Sequence, residues 1–170
     1  MAIALLIARI VIGLGLSAHG AQKLFGWYGG YGIKGTGGFF ESIGFRPGPF
    51  FALAAGLGEF GGGLLTAFGL GGPIGPALII MVMLVAIMSV HLGHGFFTTK
   101  NGVELPLAYI AGSLLIAVAG NGSYSLDTLF GISGIWSTNA EWIAVAAAVV
   151  LALLNLVIRR PAETKPATQS

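Results

Sequence analysis

The sequence predicts an all-α integral membrane protein, built as a bundle of membrane-spanning helices. Of its 170 residues, 55% are hydrophobic and only 8% are charged. Soluble domains carry roughly 25% charged residues, and so few charges cannot cover the surface of a soluble protein of this length. The chain also contains five apolar runs, each close to the roughly 20 residues that a helix needs to cross a bilayer. A lipid bilayer is therefore the predicted environment.

The five runs are predicted to be transmembrane helices. They cover residues 3–20, 49–70, 74–93, 105–119 and 140–158. None shows the alternation of apolar and polar residues that a transmembrane strand requires. The fourth run is short, so we expect flanking residues or a thinner bilayer to complete its span.

Two connecting segments are predicted to form short helices at the membrane surface. Residues 39–45 mix apolar and polar side chains, as an interfacial or re-entrant helix does. In the segment 121–139, Ser125 is placed to cap the start of another short helix. Residues 161–170 are polar and are predicted to be disordered.

The positive charges predict the orientation. With five spans, residues 21–48, residues 94–104 and the C-terminal tail share one side and hold seven Lys and Arg residues, whereas the other side holds none. The positive-inside rule places that side in the cytoplasm. We therefore expect a multi-pass protein of the inner (plasma) membrane, with its N-terminus outside. No Lys/Arg cluster is long enough to follow a phosphate backbone, so no nucleic-acid partner is expected.

Ionisable residues inside the spans are the candidate site residues, because charges in a bilayer are costly and usually functional. Arg9 and Glu59 lie in the first and second predicted helices. At about 1.5 Å per residue, Glu59 lies ~16 Å from the outer end of its helix and Arg9 ~9 Å from the outer end of the first. An Arg side chain can bridge that difference, so we predict a buried Arg9–Glu59 ion pair.

The histidines form a second candidate group. The same estimate places His19 and His91 each ~24 Å from the outer surface. Two imidazoles at one depth could bond the carbonyls of a quinone or relay protons toward Glu59; alternatively, they contact backbone carbonyls and lipid phosphates. His94 and Lys23 are expected to be interface anchors. No metal site is predicted, because no carboxylate lies at the depth of the histidines.

Small residues in the second helix predict close helix packing. Gly58 and Gly62 form a GxxxG motif, which Ala54 and Thr66 extend at the same spacing. Small residues allow membrane helices to approach closely. Packing within the bundle is the main interpretation, and a dimer face or the approach of a flat ligand are the alternatives.

These residues resemble the DoxX family of small bacterial and archaeal membrane proteins. The resemblance rests on Arg9 with Gly13, on HGAQKLFG over 19–26 and GLGEFGGGLL over 56–65, on His91, and on ELPLA over 104–108 and GSYSLD over 122–127. It implies a four-helix membrane bundle over residues 1–130. The additional fifth transmembrane helix, 140–158, departs from that pattern.

The resemblance also implies a function. Relatives are associated with a thiosulfate:quinone oxidoreductase subunit, with quinone and catechol stress resistance, and with oxidative-stress complexes. It implies a quinone as the cofactor, and it places the site at Arg9, Glu59, His19, His91 and Lys23. Because the chain has no cysteine, thiol chemistry on sulfur compounds is expected to belong to a partner subunit.

Three functions follow from the sequence as hypotheses, and whether the chain is itself an enzyme stays open. The first is a quinone-interacting subunit of a membrane redox system. The second is a non-catalytic scaffold that anchors a soluble redox partner at the cytoplasmic face through residues 21–48. The third is a transporter of protons or a small solute, with Arg9 and Glu59 as its gate; the chain has no inverted repeat to support it.

Overall fold

The computed structural model describes residues 2–160, which contain helices and no strand. Seven α-helices follow one another along the chain. They are α1 (Ala2–Phe25), α2 (Gly32–Ser42), α3 (Gly48–Phe68), α4 (Ile74–Ala86), α5 (Glu104–Ala119), α6 (Leu126–Leu129) and α7 (Thr138–Val157). Helix α4 continues as a π turn over Ile87–His91 and a 3₁₀ turn over Leu92–His94.

The predicted fold class, a helical membrane bundle, is confirmed. Helices α1, α3 and α7, and α4 with its continuation, are long and apolar enough to cross a membrane, and α5 is a shorter apolar helix. Helix α1 continues to Phe25, five residues beyond its predicted end at Gly20. The tail predicted to be disordered, 161–170, lies outside the described residues.

The five apolar helices run antiparallel in sequence order, so the bundle has two distinct ends. We call the end that holds the start of α1, the α3–α4 turn and the start of α7 the Arg9 end. The opposite end holds the end of α1, all of α2 and the end of α7, and we call it the Lys23 end. These positions follow from contacts such as Gly69 against Arg9 at one end and Gly44 against Arg160 at the other.

Helices α1 and α3 pack closely because glycines meet along their contact. A methyl group added at Gly63 would overlap the Gly13 carbonyl oxygen, and one added at Gly20 would overlap the backbone of Phe60. The Ser17 hydroxyl also donates a hydrogen bond to the Phe60 carbonyl, at 3.1 Å. The contact leaves no space for side chains, so it fixes the register of α1 along α3.

The predicted GxxxG motif lies at the contact between α3 and α4. A methyl group at Gly58 would lie 2.8 Å from Val82 Cγ2, and one at Gly62 would lie 2.9 Å from Leu78 Cβ, both on α4. The motif therefore packs α3 against α4 within the chain. Gly61, on the same helix, has open space where its side chain would be.

Helix α7 packs against α4. Ala148 of α7 is buried with Ala77 and Ile80 of α4 in one apolar cluster. Apolar side chains on the outer faces of the bundle, such as Leu115 and Val157, are exposed. Such outward apolar faces suit contact with lipid tails.

Both predicted short helices are present, but α2 begins earlier than the predicted segment 39–45 and ends at Ser42, before that segment ends. Helix α2 packs on α3, and its Glu41 Oε1 accepts a hydrogen bond of 3.0 Å from the Gly48 amide at the start of α3. Ser125 caps α6 by accepting a hydrogen bond of 3.2 Å from the Thr128 amide. Both links satisfy amides that the first turn of a helix leaves unpaired.

We predict that Gly63→Ala destabilises the bundle while Gly61→Ala does not. The new methyl group at position 63 overlaps the backbone of α1, which should cost about 1–3 kcal/mol. At position 61 the methyl group contacts nothing. The higher helix propensity of Ala can there raise the free energy of unfolding by up to about 1 kcal/mol. Thermal unfolding midpoints in one detergent compare the variants. Equal midpoints for the two would contradict the close α1–α3 contact.

Candidate functional site

A buried ion pair lies at the Lys23 end of the bundle. Lys23 Nζ is 2.5 Å from Glu59 Oε2, and the two side chains are 26% and 3% exposed, respectively. The α1–α3 register brings the last turn of α1 beside the middle of α3, so the lysine reaches the carboxylate. Because a carboxylate removed from water needs a partner, Lys23 supplies the charge that permits Glu59 to be buried. It is thus more than the interface anchor expected from the sequence.

The predicted Arg9–Glu59 pair is wrong. The Arg9 guanidinium lies against Gly69, at the end of α3, and donates to the Tyr124 carbonyl oxygen. Gly69 is ten residues beyond Glu59, which is roughly 15 Å along a helix. The sequence estimate failed because it aligned the outer ends of the helices, whereas the first turns of α1 extend past the end of α3. The two charges therefore provide no paired gate for a transporter.

Arg9 instead lies beside a polar cluster at the Arg9 end. The buried Asp127 carboxylate accepts hydrogen bonds from the Gly71 amide (2.9 Å), the Gly72 amide (2.7 Å) and Asn121 Nδ2 (2.7 Å). These bonds tie the α3–α4 turn to α6, and α6 to the segment before it. Arg9, only 1% exposed, lies beside this cluster. In the sequence, Asp127 stands out only as the last residue of the GSYSLD motif. That motif does not predict this contact.

A cavity of about 250 Å³ opens beside the ion pair at the Lys23 end. Side chains from α1, α2, α3, α4 and α7 line it, and most of them are apolar. The polar side chains in its lining are Lys23, Glu59, Ser89, His91 and Asn155. A mostly apolar cavity with a few convergent polar groups is the usual form of a small-molecule site.

Aromatic rings cover one side of the cavity. The ring of Phe45 lies 5.9 Å from that of Phe40 and 5.2 Å from that of Phe51, measured between centroids. All three rings line the cavity, and Phe45 is only 3% exposed. Segment 39–45 therefore does more than lie at the interface, because it forms a wall of the cavity.

The π turn of α4 forms another wall and presents His91. The His91 Nδ1 atom lies 2.7 Å from the Asn101 carbonyl oxygen. A carbonyl can only accept, so Nδ1 carries the hydrogen and Nε2 of the neutral ring is left as an acceptor. Within the turn, the Ser89 hydroxyl donates to the Val85 carbonyl at 2.6 Å. π turns occur frequently at functional sites.

The other two histidines lie away from the cavity lining. His19 packs edge-on against Tyr109 of α5, with 6.3 Å between ring centroids. His94 is exposed, and its Nδ1 lies 2.8 Å from the Val90 carbonyl oxygen. Of the five candidate residues, the structure therefore gathers Lys23, Glu59 and His91 and places His19 and Arg9 elsewhere. Residues 2–160 contain no group of three His, Asp or Glu side chains that could hold a metal ion.

A second, open cleft adjoins the cavity. It has a volume of about 460 Å³ and lies between the end of α1 and α2. Lys23 and Phe39 line both the cleft and the cavity. The lysine of the ion pair therefore lies between the open cleft and the apolar interior.

Sequence reasoning missed Asn155 and the role of segment 39–45. Asn155 is a lone amide in the apolar run 140–158, and a polar residue within a membrane helix is a functional signal. A search for charged and imidazole side chains within the spans does not select an amide. The aromatics of 39–45 carry no such signal, because rings at the membrane surface are common.

The fold and the site define a helical integral membrane protein with an apolar cavity beside a buried ion pair. A model of the DoxX family matches residues 4–92, which is more than half of the chain, and the protein belongs to this family. The match includes Lys23, Glu59 and His91 and ends before α5. No curated protein and no solved structure matches the chain.

A double-mutant cycle on the ion pair should show strong coupling. Lys23→Met leaves the buried Glu59 carboxylate without a compensating charge, so we expect the free energy of unfolding to fall by about 3 kcal/mol. Glu59→Gln should cost less, because Lys23 reaches solvent. The double variant should be more stable than Lys23→Met alone. Unfolding in detergent measures all three variants, with Lys34→Met as the exposed control, and additive losses would show that the pair contributes nothing.

Proposed function

We propose that the chain binds the ring of a quinone, or of a similar lipid-soluble aromatic compound, in the cavity at the Lys23 end. On this proposal it is the quinone-interacting subunit of a membrane redox system. The observation that carries the proposal is the buried Glu59–Lys23 pair at the edge of an otherwise apolar cavity. An ion pair costs free energy to bury, and packing alone does not require one here.

The size and walls of the cavity suit such a ligand. An apolar cavity of about 150 Å³ is enough to bind benzene, so about 250 Å³ accommodates a substituted ring. Aromatic rings of the 39–45 segment can pack against a flat ligand. The bilayer supplies lipid-soluble compounds directly to a protein whose outer faces are apolar.

The polar groups suit the oxygen atoms of the ring. When bound, a quinone supplies chemistry in which two electrons and two protons are taken up together. Lys23 can donate a hydrogen bond to a carbonyl, whereas Glu59 and the Nε2 atom of His91 can accept one from a hydroxyl. The His91 tautomer is held by Asn101, so the acceptor is oriented before a ligand enters.

The adjoining cleft gives these groups a route to water. Lys23 lines both the cleft and the cavity, so a proton exchanged at Glu59 has a short path past the lysine. The positive-inside rule would place this end at the cytoplasm. A partner subunit at that face would then supply the electrons, and any thiol chemistry on sulfur compounds would belong to it, because the chain has no cysteine.

Quinone titration of the intact protein in mild detergent tests the proposal. Wild type should carry co-purified quinone and bind both decyl-1,4-benzoquinone and its reduced form, decyl-1,4-hydroquinone. Glu59→Gln should weaken binding of the hydroquinone about tenfold or more, because the charged carboxylate accepts a strong hydrogen bond from a ring hydroxyl. His91→Ala should weaken binding of the hydroquinone by a smaller factor, because it removes a neutral acceptor.

Two matched controls make this test specific. Glu141→Gln makes the same change at the Arg9 end, and His94→Ala removes an exposed imidazole outside the cavity. Both should bind the hydroquinone as wild type does. If Glu59→Gln and His91→Ala also bind the hydroquinone as wild type does, the cavity is not a quinone site.

Exposed aromatic residues favour a second candidate function, docking of a soluble redox partner. Trp27, Tyr28 and Tyr31 project at the Lys23 end, exposed by 55%, 73% and 84%. Replacing all of 21–48 would also destroy the cavity wall, so the sharper change is Trp27→Ser with Tyr28→Ser and Tyr31→Ser. Loss of a co-purifying partner with unchanged quinone binding would support docking. Retention of every partner would contradict it.

A further inference from the structure

Helix α7 lies outside the part of the chain that matches the family, yet it reaches the cavity. The family match ends at residue 92, and α7 begins at Thr138. Asn155 is the residue that α7 contributes to the cavity lining. The additional helix thus adds a polar group to a site whose other polar side chains come from α1, α3 and α4.

Asn155 lies on the face of α7 that packs into the bundle. Ala148 and Ala152 are buried on this helix, and Asn155 follows them at the four- and three-residue spacing that marks one helix face. The rest of the last two turns is apolar and mostly exposed. The half-buried amide therefore continues the buried stripe into the cavity lining.

The end of α7 is fixed to the wall of the same cavity. Arg159 Nε donates to the Ile43 carbonyl at 2.6 Å, and the Arg160 amide donates to the Gly44 carbonyl at 2.8 Å. The Arg159 guanidinium also lies 5.8 Å from the ring centroid of Phe45. These contacts hold the last turn of α7, and with it Asn155, in a set position relative to the aromatic wall.

We propose that Asn155 is a ligand-binding residue that recognises an oxygen atom on the ring. This inference rests on the proposed function, since it concerns the same cavity. A side-chain amide both donates and accepts hydrogen bonds, so Asn155 can bond the carbonyl of an oxidised ring and the hydroxyl of a reduced one. It therefore selects oxygen-bearing rings over plain hydrocarbons in either redox state.

Two probes with the same tail test this selection. Decyl-1,4-benzoquinone carries ring oxygens, and decylbenzene does not. In the intact protein in mild detergent, Asn155→Leu should weaken binding of the quinone about three- to tenfold, the effect of one lost hydrogen bond. Binding of decylbenzene should stay equal or tighten. Asn155→Ala removes the amide without adding bulk and should weaken binding of the quinone in the same way.

Asn139→Leu is the matched control, because it makes the same change at the exposed start of α7. It should bind both probes as wild type does. If wild type binds the quinone and both Asn155 variants bind it equally well, Asn155 has no such role and the proposed function stands. Equal weakening of both probes would mean that Asn155 only shapes the cavity. If wild type binds neither probe, the proposed function fails together with this inference.

Discussion

The glycine contact between α1 and α3 is the constraint on which the rest of the molecule depends. Two backbones that meet without side chains between them can be aligned in only one way. That alignment brings Lys23 to Glu59 at one end and Arg9 to the end of α3 at the other. The partners of the two buried charges, Arg9 and Glu59, are thus determined by glycines that have no functional side chain. In a bilayer, where hydrophobicity does not drive helices together, such contacts do most of the packing.

The two ends of the bundle therefore differ in what surrounds their buried charges. At the Arg9 end, Asp127 accepts hydrogen bonds from the turn after α3 and from Asn121, so these bonds hold the loops there together. At the Lys23 end, the ion pair faces an apolar space that packing does not fill. A buried charge can therefore mark either structure or function, and only its neighbours decide which.

Much of the fold could be predicted from the sequence, because hydrophobic length and glycine spacing act locally along the chain. The helices, the short fourth span and the Ser125 cap all follow from such signals. The site was predicted only in part. Lys23, Glu59 and His91 do meet at one cavity, but the Arg9–Glu59 pair was wrong because the stagger between two helices is set by their contact and not by their ends. The place of Asn155 in the cavity lining was missed because it depends on how α7 packs against α4.

The π turn in α4 has a consequence for the length of the chain. An i→i+5 turn holds one residue more than an α-helical turn. A chain shortened by one residue within 87–91 could therefore close as an ordinary α-helix with both flanks still docked. The same deletion among the glycines of α3 would rotate everything beyond it by roughly 100°. The π turn is thus a place where insertion or deletion can exchange the side chains that face the cavity while the bundle stays intact.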